Sequence, residues 1–585
     1  MLSSKTKKSF ISSLLGKIFS ETKNPAPNKS KRLSLESLET RQMLSITVNS
    51  LADDTAFSLH DNEVTLREAV FLAQGAHDNT VTFDDALFIA DPDAQYTINL
   101  DAELLITKSI TIVGPGAETL FLNGQEQSRI FNISSSSPIL VNMSGFSLVD
   151  GAADNGGAVK VTGAVMGMFS DMNFVNNHST NQGGAFHISG SASSIAMSNV
   201  EFNSNSAVHG GAIFASYFNM LIIRDARFES NEAGYGGGAL SLNTGMIDIS
   251  YTTFDNNDAG TMGGAILASK ANVTISDSLF TNNSTTNKGG AIYQDRNLLT
   301  DPTGTALTLV NNVFEENTCD NLGGAVYVEP STSLSVSGGS FTKNHAFKGG
   351  GIYSDARSAA NITLTDVDFN ENDAVEWGGA VCVYGLPRTA AVAVLSVTGG
   401  TYENNKAEHG AAIFGYNLAS VDLVGTKNSP LAFTNNDATN GGGALSFNTS
   451  TVTISSATFA DNDAGITGGA ILVSKANVTI SDSQFYNNSA TNKGGAIYQD
   501  RNLSTDPTGT ALTLVNNVFE ENTCDNLGGA VYVEPSTNIT VSGGSFTRNT
   551  AAPNKGGAIC TWNTNNLVDR ALINFLDNSS DIDYL

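Results

Sequence analysis

Two Asp-Arg pairs are the residues whose types and spacing could do chemistry: Asp295-Arg296 and Asp500-Arg501. A carboxylate beside a basic group can act as a general acid–base pair, the chemistry that a hydrolase or lyase requires. The two pairs occupy equivalent positions of a duplicated stretch, whereas a catalytic site is usually singular. We therefore interpret each pair as a solvated ion pair and predict no catalytic residue.

Other polar residues that could bind a metal or cofactor belong to no motif. The histidines His187, His209, His345 and His409 are scattered near turns, and we predict that they are surface residues. The acidic turns at 255–258 and 461–463 offer oxygens that suit calcium, but they lack the glycine-aspartate nonapeptide of calcium-binding rolls. Turn roles account for them, so we predict no metal or cofactor site, with calcium as the alternative.

The four cysteines, Cys319, Cys382, Cys524 and Cys560, form no C-x-x-C pair, and no histidine lies at zinc-ligand spacing. Cys319 and Cys524 occupy equivalent positions in two copies of one block. Seven repeat units separate them, or about 34 Å at about 4.8 Å per stacked strand. A disulfide needs Cα atoms within about 7 Å, so we predict no disulfide scaffold.

Charge is distributed unevenly along the 585 residues. Residues 1–32 hold eight basic residues against Glu21 alone, a charge of +7, so a net charge of −27 leaves −34 on the rest. An acidic body argues against nucleic acid as a partner, because phosphates require Lys and Arg. No run of 18 or more apolar residues occurs, so we predict no integral membrane segment.

The elements that must position these residues are repeats. The clearest copy, from Val273 to Ile292, has a short apolar strand, then Phe280 and Asn283, then Gly-Gly-Ala-Ile. The aromatic-x-x-Asn pair recurs fourteen times between Phe174 and Asn549, with a basic step of 26 or 27 residues. A larger repeat lies over this one, because residues from about 228 to 344 recur from 433 to 549. Within it, residues 291–332 and 496–537 differ only at Leu299 and Ser504.

One such repeat cannot bury its own apolar side, but stacked repeats can. We predict an all-β fold, a single-stranded right-handed parallel β-helix of the pectin lyase-like solenoid type. Phe280 and its equivalents should form an internal aromatic column, and Asn283 and its equivalents an amide ladder. Gly290 should supply a positive φ, and Ala291 should fill a tight corner. A β-propeller is disfavoured, because its blades need about 40 to 50 residues.

We divide the chain into five segments: an export leader or disordered basic segment at 1–45, a cap with first strands at 46–90, introductory β-helix coils at 91–150, the repeat array at 151–570 and a C-terminal tail at 571–585. Residues 31–45 resemble the N-terminal export motif of planctomycete surface proteins. Residues 64–69, Val-Thr-Leu-Arg-Glu-Ala, resemble the Cys-Ser-Leu-Arg-Glu-Ala module of secreted β-helix proteins. We expect Thr65 to cap a short helix through Ala73, with Glu68 completing a capping box.

The Phe-x-x-Asn and Gly-Gly-Ala-Ile pair resembles the repeats of the polymorphic outer-membrane proteins of chlamydiae over roughly residues 140–565. That resemblance implies an autotransporter-like passenger, exposed at the cell surface or outer membrane and active in adhesion. Such passengers precede a C-terminal membrane barrel. Only some 26 residues follow Ile559, so we expect no C-terminal autotransporter barrel here.

Two functions from different classes follow. The first is a secreted or cell-surface, non-enzymatic β-helix protein, an adhesin or envelope structural protein. Its partners would be a surface polysaccharide or a host or neighbour-cell surface, with end-to-end or envelope association. The second is a polysaccharide-binding or polysaccharide-degrading lyase or hydrolase, since parallel β-helices also house such enzymes. Specificity should lie in what varies between copies, the inserted loops and the outward polar positions.

Overall fold

The computed structural model describes residues 45–54, 62–75, 79–89, 94–295, 305–357, 360–386, 393–449, 451–500, 510–535, 537–562, 567–568 and 573–584. The chain divides into two compact units, residues 1–44 and 45–585, and all described residues lie in the second. That unit is an all-β, right-handed parallel solenoid of about 17 turns. The predicted fold class is therefore confirmed.

Each regular coil contains four strands, and each strand pairs in parallel with its equivalent in the next coil. We number the resulting columns by chain order after the Gly-Gly-Ala motif. Columns 1, 2 and 3 belong to one sheet of 50 strands, and column 4 forms a second sheet of 14 strands. Three long strands run through more than one column: Phe131–Val149, Val159–Val175 and Ser194–Asn203.

The remaining column 1 strands are Leu104–Ile106, Phe186–Ser189, Ile213–Ser216, Leu240–Asn243, Ile266–Ser269, Ile292–Asp295, Val326–Val328, Ile352–Asp355, Val381–Tyr384, Ile413–Tyr416, Leu445–Asn448, Ile471–Ser474, Ile497–Asp500, Val531–Val533, Ile559–Thr561 and Ile582–Tyr584. Column 2 contains Ile46–Val48, Thr80–Phe83, Ile110–Val113, Met220–Arg224, Met246–Ser250, Asn272–Ser276, Thr305–Val310, Thr332–Ser337, Asn361–Thr365, Val394–Thr398, Ser420–Val424, Thr451–Ser455, Asn477–Ser481, Thr510–Val515, Thr537–Ser542 and Leu567–Val568.

Column 3 contains Tyr96–Asn99, Leu120–Asn123, Arg227–Glu229, Thr253–Asp255, Leu279–Thr281, Val313–Glu315, Ser340–Thr342, Asp368–Asn370, Gly400–Glu403, Leu431–Thr434, Ala457–Ala460, Gln484–Tyr486, Val518–Glu520, Ser545–Thr547 and Asn574–Leu576. Column 4 contains Ala152–Asn155, His178–Gln182, Ser206–His209, Glu232–Gly236, Asp258–Ala259, Ser284–Thr285, Thr318–Leu322, His345–Lys348, Asp373–Trp377, Lys406–His409, Asp437–Gly441, Asp463–Ala464, Ser489–Ala490 and Thr523–Cys524.

The core lies inside the coils, where successive motif phenylalanines stack. Phe280 is fully buried between Phe254 and Phe314, with ring centroids 4.7 Å away on each side and ring planes within 11° of parallel. Strand alternation supplies the rest of the core: Val273 and Ile275 point inward, while Asn272 and Thr274 point outward. The predicted aromatic column is confirmed.

The motif asparagines form the predicted amide ladder. Asn283 is fully buried, and its Nδ2 donates to Oδ1 of Asn317 at 2.9 Å and to the carbonyl of Phe254 at 3.0 Å. Its own Oδ1 accepts from both nitrogens of Asn257. The same contacts recur from Asn177 to Asn578. A buried amide is expensive when unpaired, so the ladder fixes the register of every coil.

Positive φ in the Gly-Gly-Ala motif falls on the first glycine and not on the second, which corrects the prediction for Gly290. Gly289 has φ +67°, and Gly290 is not among the positive-φ residues. Gly290 is glycine for another reason: a Cβ there would lie 1.9 Å from the carbonyl oxygen of Gly324 in the next coil. Ala291 is fully buried, as predicted for the tight corner.

The helix Leu66–Ala73 packs against the first coils. The Glu68 amide donates to Thr65 Oγ1 at 3.3 Å, and Glu68 Oε2 accepts from the Thr65 amide at 3.0 Å, so the predicted capping box is confirmed. The buried face of the helix, Leu66, Ala69, Val70 and Ala73, joins the solenoid core. The helix therefore covers apolar surface of the first coils.

The segment predicted as a C-terminal tail at 571–585 contains two more strands. Asn574–Leu576 and Ile582–Tyr584 pair with the preceding coil. The ring of Phe575 stacks on Phe546 with centroids 5.4 Å apart, and Asn578 extends the amide ladder. Phe575-x-x-Asn578 is itself a copy of the motif, so the sequence contained the signal for this correction.

Candidate functional site

The outer face of column 1 contains a second aromatic row. Because strand residues alternate, Ile292 and Gln294 point inward and Tyr293 points outward. Tyr293 pairs in register with Tyr327, which pairs with Tyr353, and successive ring centroids are 5.4 Å apart. These tyrosines belong to a buried cluster on the outer face that we call the outer aromatic row. Its buried members are four aromatic residues together with one leucine and one cysteine: Leu267, Tyr293, Tyr327, Tyr353, Cys382 and Phe414.

A polar cluster joins this row at Glu329, and we call it the first cluster. Lys288 Nζ lies 2.7 Å from Glu329 Oε1, and the Tyr293 hydroxyl donates to the same oxygen at 3.0 Å. The Tyr327 hydroxyl lies 3.4 Å from Glu329 Oε1 and 3.4 Å from Asp355 Oδ2. Lys288 Nζ also lies 4.5 Å from the centroid of the Tyr327 ring.

The two tyrosines of the first cluster are held protonated. Burial raises the pKa of Tyr293 and of Tyr327, and the nearby carboxylates raise both pKa values further. A tyrosine that acts as a base needs a lowered pKa, which is the opposite shift. These hydroxyls therefore act as hydrogen-bond donors, and the cluster is suited to holding carboxylates in place.

The duplicated block contains an equivalent set, which we call the second cluster. Lys493 Nζ forms an ion pair with Glu534, and the Tyr498 hydroxyl donates to Glu534 Oε1 at 3.1 Å. The Tyr532 hydroxyl accepts instead from Trp562 Nε1 at 2.8 Å. Trp562 follows the strand Ile559–Thr561, so it takes the place that Asp355 has in the first cluster.

The acidic members of the two Asp-Arg pairs lie at the ends of column 1 strands. Asp295 accepts a hydrogen bond from Ser269 at 3.0 Å, and Asp500 accepts one from Ser474 at 3.2 Å. Arg296 and Arg501 lie outside the described residues, so the solvated ion pair stays a prediction. Asp500 also accepts from the Tyr498 hydroxyl at 3.1 Å, which links it to the second cluster.

His187 is buried, so its prediction as a surface residue is wrong. Its side chain is 6% exposed, and its ring stacks on Phe214 with centroids 5.6 Å apart. Burial, together with the nearby charges of Lys160 and Arg129, lowers the pKa of His187 to about 4. His187 follows Gly-Gly-Ala-Phe and therefore occupies an outward position of column 1. The strand register pairs His187 with Phe214, and this pairing could have indicated that the histidine is buried.

The other histidines are less buried. His345 Nδ1 lies 3.0 Å from Asp373 Oδ2, and this hydrogen bond raises the pKa of His345. His209 and His409 are half-buried, and burial lowers the pKa of each. The structure brings none of these described histidines into a cluster of potential metal ligands.

The acidic turns hydrogen-bond between neighbouring coils. Asp255 Oδ1 accepts from Thr281 at 2.8 Å, and Asp258 Oδ1 accepts from Ser284. Asp463 Oδ1 accepts from Ser489 in the second copy. Over the described ranges, no group of three or more His, Cys, Asp or Glu residues is placed to hold a metal ion.

All four cysteines are buried. Cys319 and Cys524 lie at equivalent positions in column 4. Burial raises the pKa of the Cys319 thiol to about 11 and raises that of Cys524 as well. These thiols stay protonated near neutral pH and pack as small apolar groups.

Two protein-family models match parts of this chain. The model of the Chlamydia polymorphic membrane protein repeat matches residues 199–216 and 277–295, and the model of the right-handed beta helix region matches residues 424–573. Over residues 199–216 and 277–295, this chain is thus similar to polymorphic membrane protein repeats. In these repeats the family motif supplies the Phe column, the Asn ladder and the Gly-Gly-Ala corner, all of which are structural.

Other comparisons add little. A search of the curated proteins found no match. Among solved structures, tailspike protein 3 of bacteriophage CBA120 is similar over 80% of this chain and 61% of that chain, with 10% sequence identity and a TM-score of 0.35. This chain thus spans less than two thirds of that tailspike's length. No helix in the described part of the chain has the length and apolarity that a membrane span needs.

Proposed function

We propose that this chain is a secreted or cell-surface, non-enzymatic β-helix protein that serves adhesion or envelope structure. The observation that carries the proposal is the match to the polymorphic membrane protein repeat, whose name places such repeats in membrane proteins. The motif residues are buried and hold the coils together. Recognition is left to the residues that differ between coils on the outer face.

The geometry of the outer clusters supports a non-enzymatic role. Glu329 is matched by Lys288 and by two tyrosine hydroxyls, and Asp355 is matched by Arg357 at 2.5 Å. A catalytic acid or base must exchange a proton during reaction, and such groups usually have pKa values near the working pH. The raised pKa values of the tyrosines favour a fixed hydrogen-bond network instead.

The surface proposal is tested by adding protease to intact cells and detecting the protein by immunoblot. We expect digestion without lysis, while a cytoplasmic marker stays intact. Protection of the protein in intact cells, with digestion after lysis, would contradict the surface assignment.

Residues 1–45 are proposed as the export leader, and residues 46–90 as a cap of the Cys-Ser-Leu-Arg-Glu-Ala type. Sequencing the N-terminus of protein recovered from the cell surface tests this division. We expect the mature chain to start close to Ser45, where the described solenoid starts. A mature N-terminus within the first coils would be inconsistent with the cap, because Val48 is a core residue.

A polysaccharide-binding or polysaccharide-degrading role is the second candidate, and one feature favours binding. Trp562 is 48% exposed and donates to the Tyr532 hydroxyl, and pockets for small ligands often combine aromatic rings with a few polar groups. A screen of acidic polysaccharides should follow both retention on the protein and new reducing ends or unsaturated products. Retention that Trp562→Ala abolishes would favour binding, and product formation would overturn the non-enzymatic proposal.

A further inference from the structure

Methionine is concentrated in one part of the chain. Eight of the ten methionines lie between residues 143 and 262. Three of them, Met143, Met172 and Met197, are core residues. Others occupy outward positions of column 2, where they form with their neighbours an apolar surface that we call the methionine face: Leu140, Met166, Met168, Met220, Ile222 and Met246.

Strand register aligns the residues of this face from coil to coil, and Ala196 provides the apolar link between Met168 and Ile222. Leu140 pairs with Met166, which pairs with Ser194, and the same line continues through Met220 to Met246. Four steps of about 4.8 Å give the face a length of about 19 Å. Leu140 is 42% exposed, Met166 and Met168 are each 39% exposed, and Met246 is 51% exposed.

The fold does not require apolar residues at these positions. In the next coil the same outward positions contain Asn272, Thr274 and Ser276, paired in register with Met246, Asp248 and Ser250. A later coil presents Asn477 and Thr479 there. The coils are the same, so solenoid stability does not explain the methionine face. Exposed contiguous apolar surface of this kind marks interaction sites.

An acidic groove of about 460 Å³ lies at the turn that follows the methionine face in the same coils. Its lining includes Glu118, Asp171, Glu201 and Asp225 against the single cation Arg227, a formal charge of −3. Arg227 is already bonded to Glu229 and Asp255. On the opposite edge of the face, the turn at 189–193 is Ser-Gly-Ser-Ala-Ser and uncharged. The face is therefore acidic along one side only.

We propose that the methionine face and its acidic groove bind a basic amphipathic segment of a partner protein. Apolar side chains of that segment would lie on Met166, Met168 and Met246, and its Lys or Arg residues would face Asp171 and Asp225. Methionine suits this task because its flexible thioether adapts to irregular surfaces. This rests on charge complementarity and is independent of the adhesion proposal.

Charge also selects against other occupants. Residues 33–585 carry −34, so a second copy of this chain would be repelled. An anionic lipid surface would be repelled by the same groove. Arg224 lies 2.9 Å from Asp248 and forms an ion pair with it. The methionine face therefore offers no unmatched cation that would attract an acidic partner.

The experiment titrates the full chain against two fluorescent synthetic peptides of matched length, one of Leu and Lys and one of Leu and Glu, in amphipathic order. We expect the Leu/Lys peptide to bind at least about tenfold tighter. Met166→Ser/Met168→Ser/Met246→Ser should lower its affinity at least about tenfold. Asp171→Asn/Asp225→Asn should weaken binding and flatten its dependence on salt. The matched control, Asn272→Ser/Thr274→Ser/Thr479→Ser, should bind like the unmodified chain.

Several outcomes would overturn the proposal. One is absence of Leu/Lys binding, and another is binding that survives the triple methionine substitution. Sedimentation that shows a dimer dissociated by that substitution would assign the face to a second copy. Flotation with vesicles of neutral lipid, lost in the same variant, would assign it to a bilayer. Circular dichroism of each variant verifies that the solenoid is intact.

Discussion

The coils around Lys288 and those around Lys493 are two copies of one block, offset by 205 residues. Inside the solenoid they agree closely. Asn283 donates to Asn317 at 2.9 Å, and Asn488 donates to Asn522 at 2.9 Å. The buried Gln294 and its copy Gln499 each donate to a backbone carbonyl of the preceding coil.

On the outer face the two copies differ. Tyr327 lies near Asp355, whereas its copy Tyr532 accepts from Trp562. Asp355 and Trp562 belong to coils just beyond the duplicated block, so identical residues obtain different partners. An outer site in a solenoid is shared between neighbouring coils, and duplicating a block does not duplicate the site at its edge.

The largest effect should come from Gly290→Val or Gly495→Val, and it should be equal in both copies. A Cβ would meet the carbonyl oxygen of Gly324 at 1.9 Å or that of Gly529 at 2.1 Å. We expect each substitution to cost more than about 3 kcal/mol of unfolding free energy, measured by chemical denaturation. Gly234→Ala is the control, because its nearest contact would be 3.9 Å away. A tolerated Gly290→Val would mean that the coils are less closely stacked.

Asn317→Ala and Asn522→Ala test the shared interior next. Each removal leaves the amide groups of the preceding asparagine without their acceptor, and it leaves a phenylalanine carbonyl without its donor. We expect the free energy of unfolding to fall by about 2–3 kcal/mol for the substitution in either copy, as measured by thermal unfolding. The exposed Asn321 and Asn526 donate only to a neighbouring side chain, so their alanine variants should be nearly neutral. Unequal losses at Asn317 and Asn522 would show that the interiors differ.

Glu329→Gln and Glu534→Gln should separate the copies. The Glu329 and Glu534 side chains are almost equally buried, but Glu329 interacts with Lys288, Tyr293 and Tyr327, while Glu534 interacts with Lys493 and Tyr498. Loss of the carboxylate charge should lower the free energy of unfolding by about 1–2 kcal/mol at Glu329 and by less at Glu534. Denaturant titration measures both values. A larger loss at Glu534 would reverse the comparison.

The smallest effect should come from Tyr532→Phe and Tyr327→Phe. The chain has two tryptophans, so Trp377→Phe leaves Trp562 as the single fluorescent reporter. Removing the Tyr532 hydroxyl takes away the acceptor of Trp562 Nε1 and should shift its emission, at a cost of about 1 kcal/mol or less. Tyr327→Phe, far along the solenoid, should leave the emission unchanged. Identical spectra for both variants would contradict the assigned hydrogen bond.

Much of the fold could be predicted from the sequence because the motif repeats in register. Phe280 and Asn283 recur at nearly every coil, and stacking is the arrangement that buries both. The role of Gly290 could not be predicted, because its need for glycine comes from the carbonyl of Gly324, 34 residues away. The candidate site was missed for a similar reason. Tyr293 and Glu329 are 36 residues apart, and only the register of two neighbouring coils brings them together.

The sequence by itself determined the β-helix, the interior columns and the acidic charge of the body, because these depend on residue types that recur at a fixed step. The tertiary structure decided which outward residues meet. Lys288 joins Glu329, Trp562 replaces Asp355 beside the duplicated tyrosine, and methionines of several coils form one face beside an acidic turn. The physical reason is that outward contacts cross from one coil to the next, so they depend on the coil that lies alongside.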